Sequence, residues 1–364
     1  MLSSPRSATL ARRSRSSVRP NPEPPMRRLA VLSLPLVAVT AAGLALAQSA
    51  PPSASSSAPP PGPDRILTAP EIGALPDDPP ARLVRRGRDL FTATYAHIGP
   101  EVADPAKRFA GNNLACGNCH LHAGTKKFGL PIYGLFETFP QYSARAGAEV
   151  TIEDRIESCM TRSLNGRPLP KDGPEMAAFV AYVKFLSEGY RPGQPVAGLG
   201  SGAMPELDRA ADPVRGKALY AKACLDCHGA DGRGIRRSLP TTDLGYMVPP
   251  LWGPDSFNDG AGMARLITAA NFLHFNMPHG TDHLDPQLAV ADAWDIAAYM
   301  VSQPRPQRAG LDKDFPDLLL KPVDTPYGPY ADGFTAEQHK YGPFAPIRAA
   351  IDKLKAEKAA APPR

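Results

Sequence analysis

The sequence predicts a mainly α-helical protein in which one kind of unit occurs twice. Three observations predict it. Strand-like alternation is scarce. Two stretches with helical spacing, "RLVRRGRDLFTATYAH" (82–97) and the run "DPVRGKALYAKACLDCHG" that opens at Asp212, each lead to a C-x-x-C-H motif. Each motif is followed, after an irregular loop, by an amphipathic helix: "PEMAAFVAYVKFLSEG" (174–189) and "AVADAWDIAAYMVSQ" (289–303). Helix, motif, loop, helix is an internal repeat of long period.

A chain of 364 residues, 43% of them hydrophobic, is long enough for two cores with tails. The formal charge of +5 is concentrated at the start: residues 1–47 hold seven arginines and one acid, Glu23. The remainder has 34 basic and 35 acidic residues, a net charge of −1, and gives no electrostatic case for nucleic-acid binding. "MRRLAVLSLPLVAVTAAGLALAQSA" reads as an export signal: a basic start at Arg27 and Arg28, an apolar stretch from Leu29 to Leu46, and small residues Ala45 and Ala47 before a cleavage site. Pro35, Thr40 and Gly43 weaken the rival reading as a membrane anchor, so no stable membrane insertion is expected after cleavage. The expected organisation is a leader (1–47), a Pro/Ser-rich linker (48–79), a first domain (80–190) and a Gly/Pro-rich linker (191–210). A second domain (211–303) and an extended C-terminal segment with a fraying helical tail (304–364) follow. Aromatic residues in 304–346 argue against disorder there and for a strap laid over a domain surface.

Cys116-Gly-Asn-Cys119-His120 and Cys224-Leu-Asp-Cys227-His228 match the attachment pattern of c-type haem. Two thiols at this spacing each form a thioether with one haem vinyl group, and the histidine that follows is carried under the iron as a ligand. A disulfide reading leaves both histidines without a role. A four-cysteine zinc site conflicts with each motif belonging to its own helical unit. The predicted fold is therefore mainly α, with two class I cytochrome c-like domains in tandem, each with one covalent haem containing iron.

The opposite iron ligands are expected in the loops between motif and last helix. In the second domain Met247, Met263, Met277, His274, His279 and His283 are candidates; Met277, in "NFLHFNMPHG" just before the last helix, is favoured. Met/His ligation raises the potential of a haem. In the first domain the window holds His122, Cys159, Met160 and Met176. Cys159 is the fifth cysteine, left over once the motifs are assigned. Thr151 is a good N-cap with Asp154 in capping-box position, and Asn165-Gly166 is a stop. On that helix Ile152, Ile156, Cys159 and Ser163 share one face, which turns the cysteine inward. Arg155, Arg162, Arg167 and Lys171 surround it in sequence. Such cations stabilise a negatively charged sulfur and make a pocket for an anion. The plainer reading is a solvated arginine face and a small core cysteine; the coincidence of thiol, haems and cations favours the site.

"CGNCHLHAG", "PQYSARAG", "TIEDRIESCMTRSLNGRPLP", "PPLWGPDSFNDGAGM", "NMPHG" and "EQHKYGPFAPI" resemble, in order, segments of the dihaem thiosulfate dehydrogenases, tetrathionate-forming cytochromes of the bacterial periplasm. The resemblance covers about residues 80–350. It implies oxidation of two thiosulfates to tetrathionate, reversible in some members, at a first haem held by His120 and Cys159. It also implies a relay haem held by His228 and Met277, and a substrate pocket built from Arg145, Arg155 and Ser163, with Arg167 as an extra cation. Some members alternate a lysine with the methionine; no lysine lies between Gly229 and Asn276, which leaves methionine ligation or exchange between methionines. A soluble cytochrome c or similar carrier is the implied electron acceptor. The alternatives are a non-enzymatic dihaem electron carrier, in which Cys159 has no purpose, and a dihaem peroxidase, for which no acid/base residues stand out. Another sulfur-oxidising cytochrome with a cysteine-ligated haem is the third.

Overall fold

Each half of the chain opens with a helix that an aspartate caps. Asp78 accepts a hydrogen bond from the Ala81 N–H and Pro79 takes the first position of α1 (Pro79–Thr92). Asp212 accepts from the Val214 and Arg215 N–H groups and Pro213 starts α6 (Pro213–Ala223). An Asp-Pro pair suits a helix start twice over: the carboxylate satisfies free N–H groups, and proline has none to waste. The protein is described by a computed structural model that covers residues 70–361 except 192, 194, 195 and 239–243. The leader (1–47) and the linker up to residue 69 lie outside the described residues.

In each half the first helix crosses the last one on a glycine. A Cβ on Gly87 would lie 2.0 Å from the Ala178 carbonyl oxygen of α5 (Pro174–Phe185). A Cβ on Gly216 would lie 1.8 Å from the Asp295 carbonyl oxygen of α9 (Val290–Ser302). Only glycine permits backbones this close. Around the first crossing Leu90, Phe91, Phe109, Met160, Met176 and Phe179 form one core. Around the second, Tyr220, Trp252, Leu266, Trp294 and Ile296 form another.

The helices α2 (Thr94–Ile98), α3 (Leu121–Gly124), α4 (Ile152–Arg162), α7 (Leu225–His228), α8 (Leu266–Asn276), α10 (Ala336–Tyr341) and α11 (Ala345–Ala360) complete the α-helices among the described residues, and short 3-10 turns lie between them. Strand is confined there to two antiparallel ribbons. In one, β1 (Gln141–Ser143) pairs with β2 (Ala148–Val150), Tyr142 opposite Glu149. In the other, β3 (Ile235–Arg236) pairs with β4 (Tyr246–Val248). The fold is thus mainly α with two helical domains in tandem.

The C-terminal segment differs in one respect from a strap with a fraying tail. Helix α11 starts before the expected tail, and Phe344, Ile347 and Ile351 are buried in the second core. Before that, the segment runs towards the first domain. Pro304 accepts from the Gly253 N–H, Pro306 from the Asp259 N–H, and the Phe315 N–H donates to the Arg145 carbonyl. A loop of the second half also docks on the first: the Asn113 N–H donates to Asp255 (3.0 Å), and Asn112 Nδ2 to the Ser256 carbonyl (3.1 Å).

Candidate functional site

The first C-x-x-C-H motif lines an apolar cavity with about 790 Å³ of empty space, part of it open to solvent, walled by Phe91, Leu114, Ile132 and Phe179 among others. Cys116, Cys119 and His120 face it, and so does Cys159 from α4. His120 Nδ1 is 2.5 Å from the Leu130 carbonyl, which can only accept, so Nδ1 carries the proton and Nε2 keeps its lone pair. Burial pulls the His120 pKa down to about 4, which holds the ring neutral at physiological pH. Burial likewise pushes the Cys116 thiol up to about 12 and the Cys119 thiol to about 11. A neutral imidazole with a free lone pair, two thiols beside it and an otherwise apolar wall fit a covalently attached haem with a histidine ligand.

The second motif repeats this chemistry. His228 Nδ1 donates to the Pro249 carbonyl at 3.0 Å, again leaving Nε2 free, and burial lowers its pKa. Tyr220 Oη donates to the Gly229 carbonyl directly after the motif (2.7 Å), as Tyr182 Oη donates to the Ala123 carbonyl in the first domain (2.8 Å). Cys224 and Met277 both pack against the second core, with Met277 at the end of α8. Met247 projects from β4 with 65% of its surface exposed, and Met263 lines a basin beside the first domain. No three His, Cys, Asp or Glu side chains converge as metal ligands among the described residues.

Cys159 sits where the apolar cavity meets a second, polar basin; Cys119, His120, Arg155 and Ser163 are shared with it as walls of both. The geometry comes from α4. Thr151 and Asp154 form the reciprocal capping box expected of them, and the helix carries Ile152 and Met160 into the core. Arg155, one turn before the cysteine, donates to Cys159 Sγ at 3.2 Å. The last carbonyls of α4 have no intrahelical partners. Those of Cys159 and Met160 are met locally, by the Leu164 and Gly166 N–H groups, but the last two are met from far along the chain: Thr161 accepts from Asn258 Nδ2 (2.9 Å) and Arg308 Nη1 (2.9 Å), and Arg162 from the Asn258 N–H (3.2 Å).

The basin brings together Arg145, Arg155 and Ser163 of the expected pocket. Arg145 is presented by the β1–β2 turn, 3.9 Å from Asp314, and burial with Arg162 nearby lowers its pKa. Arg167 is placed elsewhere. It donates to the Arg108 and Ala106 carbonyls and lies over the Phe109 ring at 4.1 Å, outside the basin lining. Arg162 is buried and forms a two-pronged pair with Asp314 (2.8 and 2.7 Å), whose carboxylate also accepts from Tyr327 Oη (2.7 Å). Arg265, Arg308 and Asp314 also line the basin. Sequence reasoning missed them because they come from the second domain and the C-terminal segment. The one local signal was the aromatic content that argued for order beyond residue 304.

Residues 106–191 match the model of the SoxA/TsdA cytochrome c domain, and residues 213–304 match that of cytochrome c. The chain is 43% identical over 248 residues to a thiosulfate dehydrogenase of Allochromatium vinosum, covering 67% of this chain and 86% of that one. It is 37% identical over 282 residues to a thiosulfate dehydrogenase of Thiomonas intermedia, covering 77% of this chain and 84% of that one. The solved thiosulfate dehydrogenase TsdBA of Marichromatium purpuratum aligns with a TM-score of 0.60 at 34% identity. That alignment covers 67% of this chain and spans half the length of the TsdBA chain. Two cytochrome c domains, each with the haem-attachment motif in a fitting cavity, give the protein two covalent haem c groups. With relatives this similar over most of their length, the chain belongs to the thiosulfate dehydrogenase family of c-type cytochromes.

Proposed function

We propose that the protein is an exported, periplasmic thiosulfate dehydrogenase: 2 S₂O₃²⁻ → S₄O₆²⁻ + 2e⁻, with the reverse cleavage open to the same site. The observation that carries the reading is the position of Cys159, at the mouth between the cavity of the first haem motif and a basin lined by five arginines against the carboxylates of Glu149, Asp154, Glu157 and Asp314. His120 and Cys159 would hold the first iron, and His228 and Met277 the second. No helix among the described residues is long and apolar enough to cross a membrane.

The chain's task follows from charge. Two dianions about 4 Å apart repel by roughly 16 kcal/mol at an effective dielectric of about 20. Arg145 and Arg155 offset that repulsion, and their planar forks match the sulfonate oxygens. The Ser163 hydroxyl, on the same wall, adds a neutral donor. The apolar wall behind Cys159 offers little polar screening, which strengthens the charge contacts at its mouth. When bound, the two haems supply one-electron acceptors that together take up the two electrons released as the sulfur–sulfur bond forms. A soluble cytochrome c or similar carrier then collects them from the second domain.

The test is reduction of ferricyanide by thiosulfate with purified, haem-loaded protein. Wild type should turn over, and Cys159→Gly should lose at least about a hundredfold, as expected for a group at the reacting centre. The Cys159→Gly spectrum should change at the first haem only, and Met277→Gly at the second only. A wild type that loads both haems but does not reduce ferricyanide with thiosulfate sinks the reading.

A further inference from the structure

Joining two thiosulfates requires places for two dianions, and Arg155 with Ser163 beside Cys159 provides for one. The second must lie within the same basin, on cations not already neutralised. The basin arginines differ on this point. Arg162 is consumed by its two-pronged pair with Asp314, and Arg265 by Asp324, to which its Nε donates at 2.8 Å. Arg145 lies 3.9 Å from Asp314 and donates to the Gly260 carbonyl at 3.4 Å, so it is partly engaged. Among the described residues only Arg155 and Arg308 line the basin with no carboxylate in ion-pair contact with the guanidinium.

Arg308 is also held in place. Its N–H donates to Asp259 Oδ1 (2.8 Å), and its Nη1 to the Thr161 carbonyl (2.9 Å), two residues past Cys159. Asp314 and Asp259 act on the guanidinium only at longer range, and Arg162 opposes it. Gly260 fixes its stem: a Cβ there would lie 3.0 Å from Arg308 Cδ and 2.7 Å from Arg162 Nη1. Of the five N–H donors of a guanidinium, the contacts in the structure occupy one. A half-buried, anchored and unpaired guanidinium facing a polar basin is a built receptor for an oxyanion.

We infer that Arg308, delivered by the C-terminal segment, forms with Arg145 a second sulfonate subsite, which holds the thiosulfate that joins the one held at Arg155 and Ser163. The inference rests on the proposed function. In the reverse direction Arg155 and Arg308 grip the two sulfonate ends of one tetrathionate. No covalent step is assigned to Arg308; it binds and orients.

The test uses the oxidised holoprotein and two variants, Arg308→Gln and Arg308→Lys. Gln keeps an amide N–H donor for the Thr161 carbonyl and removes the charge; Lys keeps the charge. With ferricyanide as acceptor, Arg308→Gln should raise the thiosulfate KM tenfold or more, as loss of a charge-assisted contact does, with kcat changed less than about threefold. Arg308→Lys should recover part of the KM. Calorimetric titration with sulfate, an unreactive dianion, should show two sites in wild type and one in Arg308→Gln, at unchanged haem spectra and melting temperature. A variant that still takes two sulfates overturns the inference. So does an unchanged KM, or a fall in kcat accompanied by a lower melting temperature, which marks a structural tether. Failure of wild type to oxidise thiosulfate is a different result: it removes the proposed function.

Discussion

Cys159 was legible as an inward-facing residue because the signals that set its helix and its face are local. A capping box, a periodic apolar face and a stop signal lie within one short stretch of chain, and α4 forms between them. Arg167 shows the limit of the same reasoning. Sequence proximity put it near the cysteine, but beyond the end of α4 the chain turns, and backbone carbonyls and the Phe109 ring hold its side chain elsewhere. A different residue contributes to the acid sensitivity of the fold from within the second core. Asp295 is fully buried and accepts from Arg209 (2.9 and 3.0 Å), Arg215 (2.5 Å) and the Asp212 N–H (2.8 Å). Burial raises its pKa, but the arginines and the N–H outweigh it, and the folded value lies below the ordinary 3.8. Its stabilising contribution is therefore complete above the unfolded pKa of about 4 and is lost as pH falls through the lower folded value. Melting followed against pH should show a falling acid limb below about pH 4. Asp295→Asn should flatten that limb and cost about 2 kcal/mol at neutral pH.

At the scale of elements, the repeat is legible as helical spacing before each C-x-x-C-H motif and an amphipathic helix after it. Helix α8 escaped because it has no stripe: Leu266, Ala269, Ala270, Asn271, Phe272, Leu273 and Asn276 are all buried, so no 3.6-residue pattern marks it. The α1–α5 and α6–α9 crossings are the firmest joints of the two domains, and both depend on a missing side chain. Gly87→Ala puts a methyl against the Ala178 carbonyl with only 2.0 Å available and has no flexible neighbour to displace. The helices must separate, at a cost of about 1–3 kcal/mol. Urea denaturation should show a lower midpoint at unchanged m-value, and the first haem's spectrum should be the one affected.

On the scale of the whole molecule, the two cores were visible in the sequence, and the way they share a site was not. Contacts such as Arg162 with Asp314, or Asn258 with the end of α4, join residues far apart in the chain, and no periodicity records them. The C-terminal segment does two jobs at once. Its start supplies Arg308 and Asp314 to the basin, and its end supplies Phe344, Ile347 and Ile351 to the second core. Burial of those three side chains contributes roughly 5–8 kcal/mol. That is comparable to the net stability of a domain. A protein shortened to end at residue 303 should therefore lose cooperative unfolding of its second domain, measured by the denaturation profile at the second haem.

The capping of α4 by Asn258 and Arg308 has a consequence for the order in which the protein is made. As the chain emerges from its amino end, both haem-attachment motifs and both helix crossings are present before Arg308 appears. The cavity for the first haem thus precedes the wall that closes the basin in front of it. Every residue that walls the first haem's cavity lies between Phe91 and Val183, whereas the mouth in front of it also needs Arg308 and Asp314 from the C-terminal segment. The mouth that meets the anion thus draws on a later reach of the chain than the pocket that takes the haem.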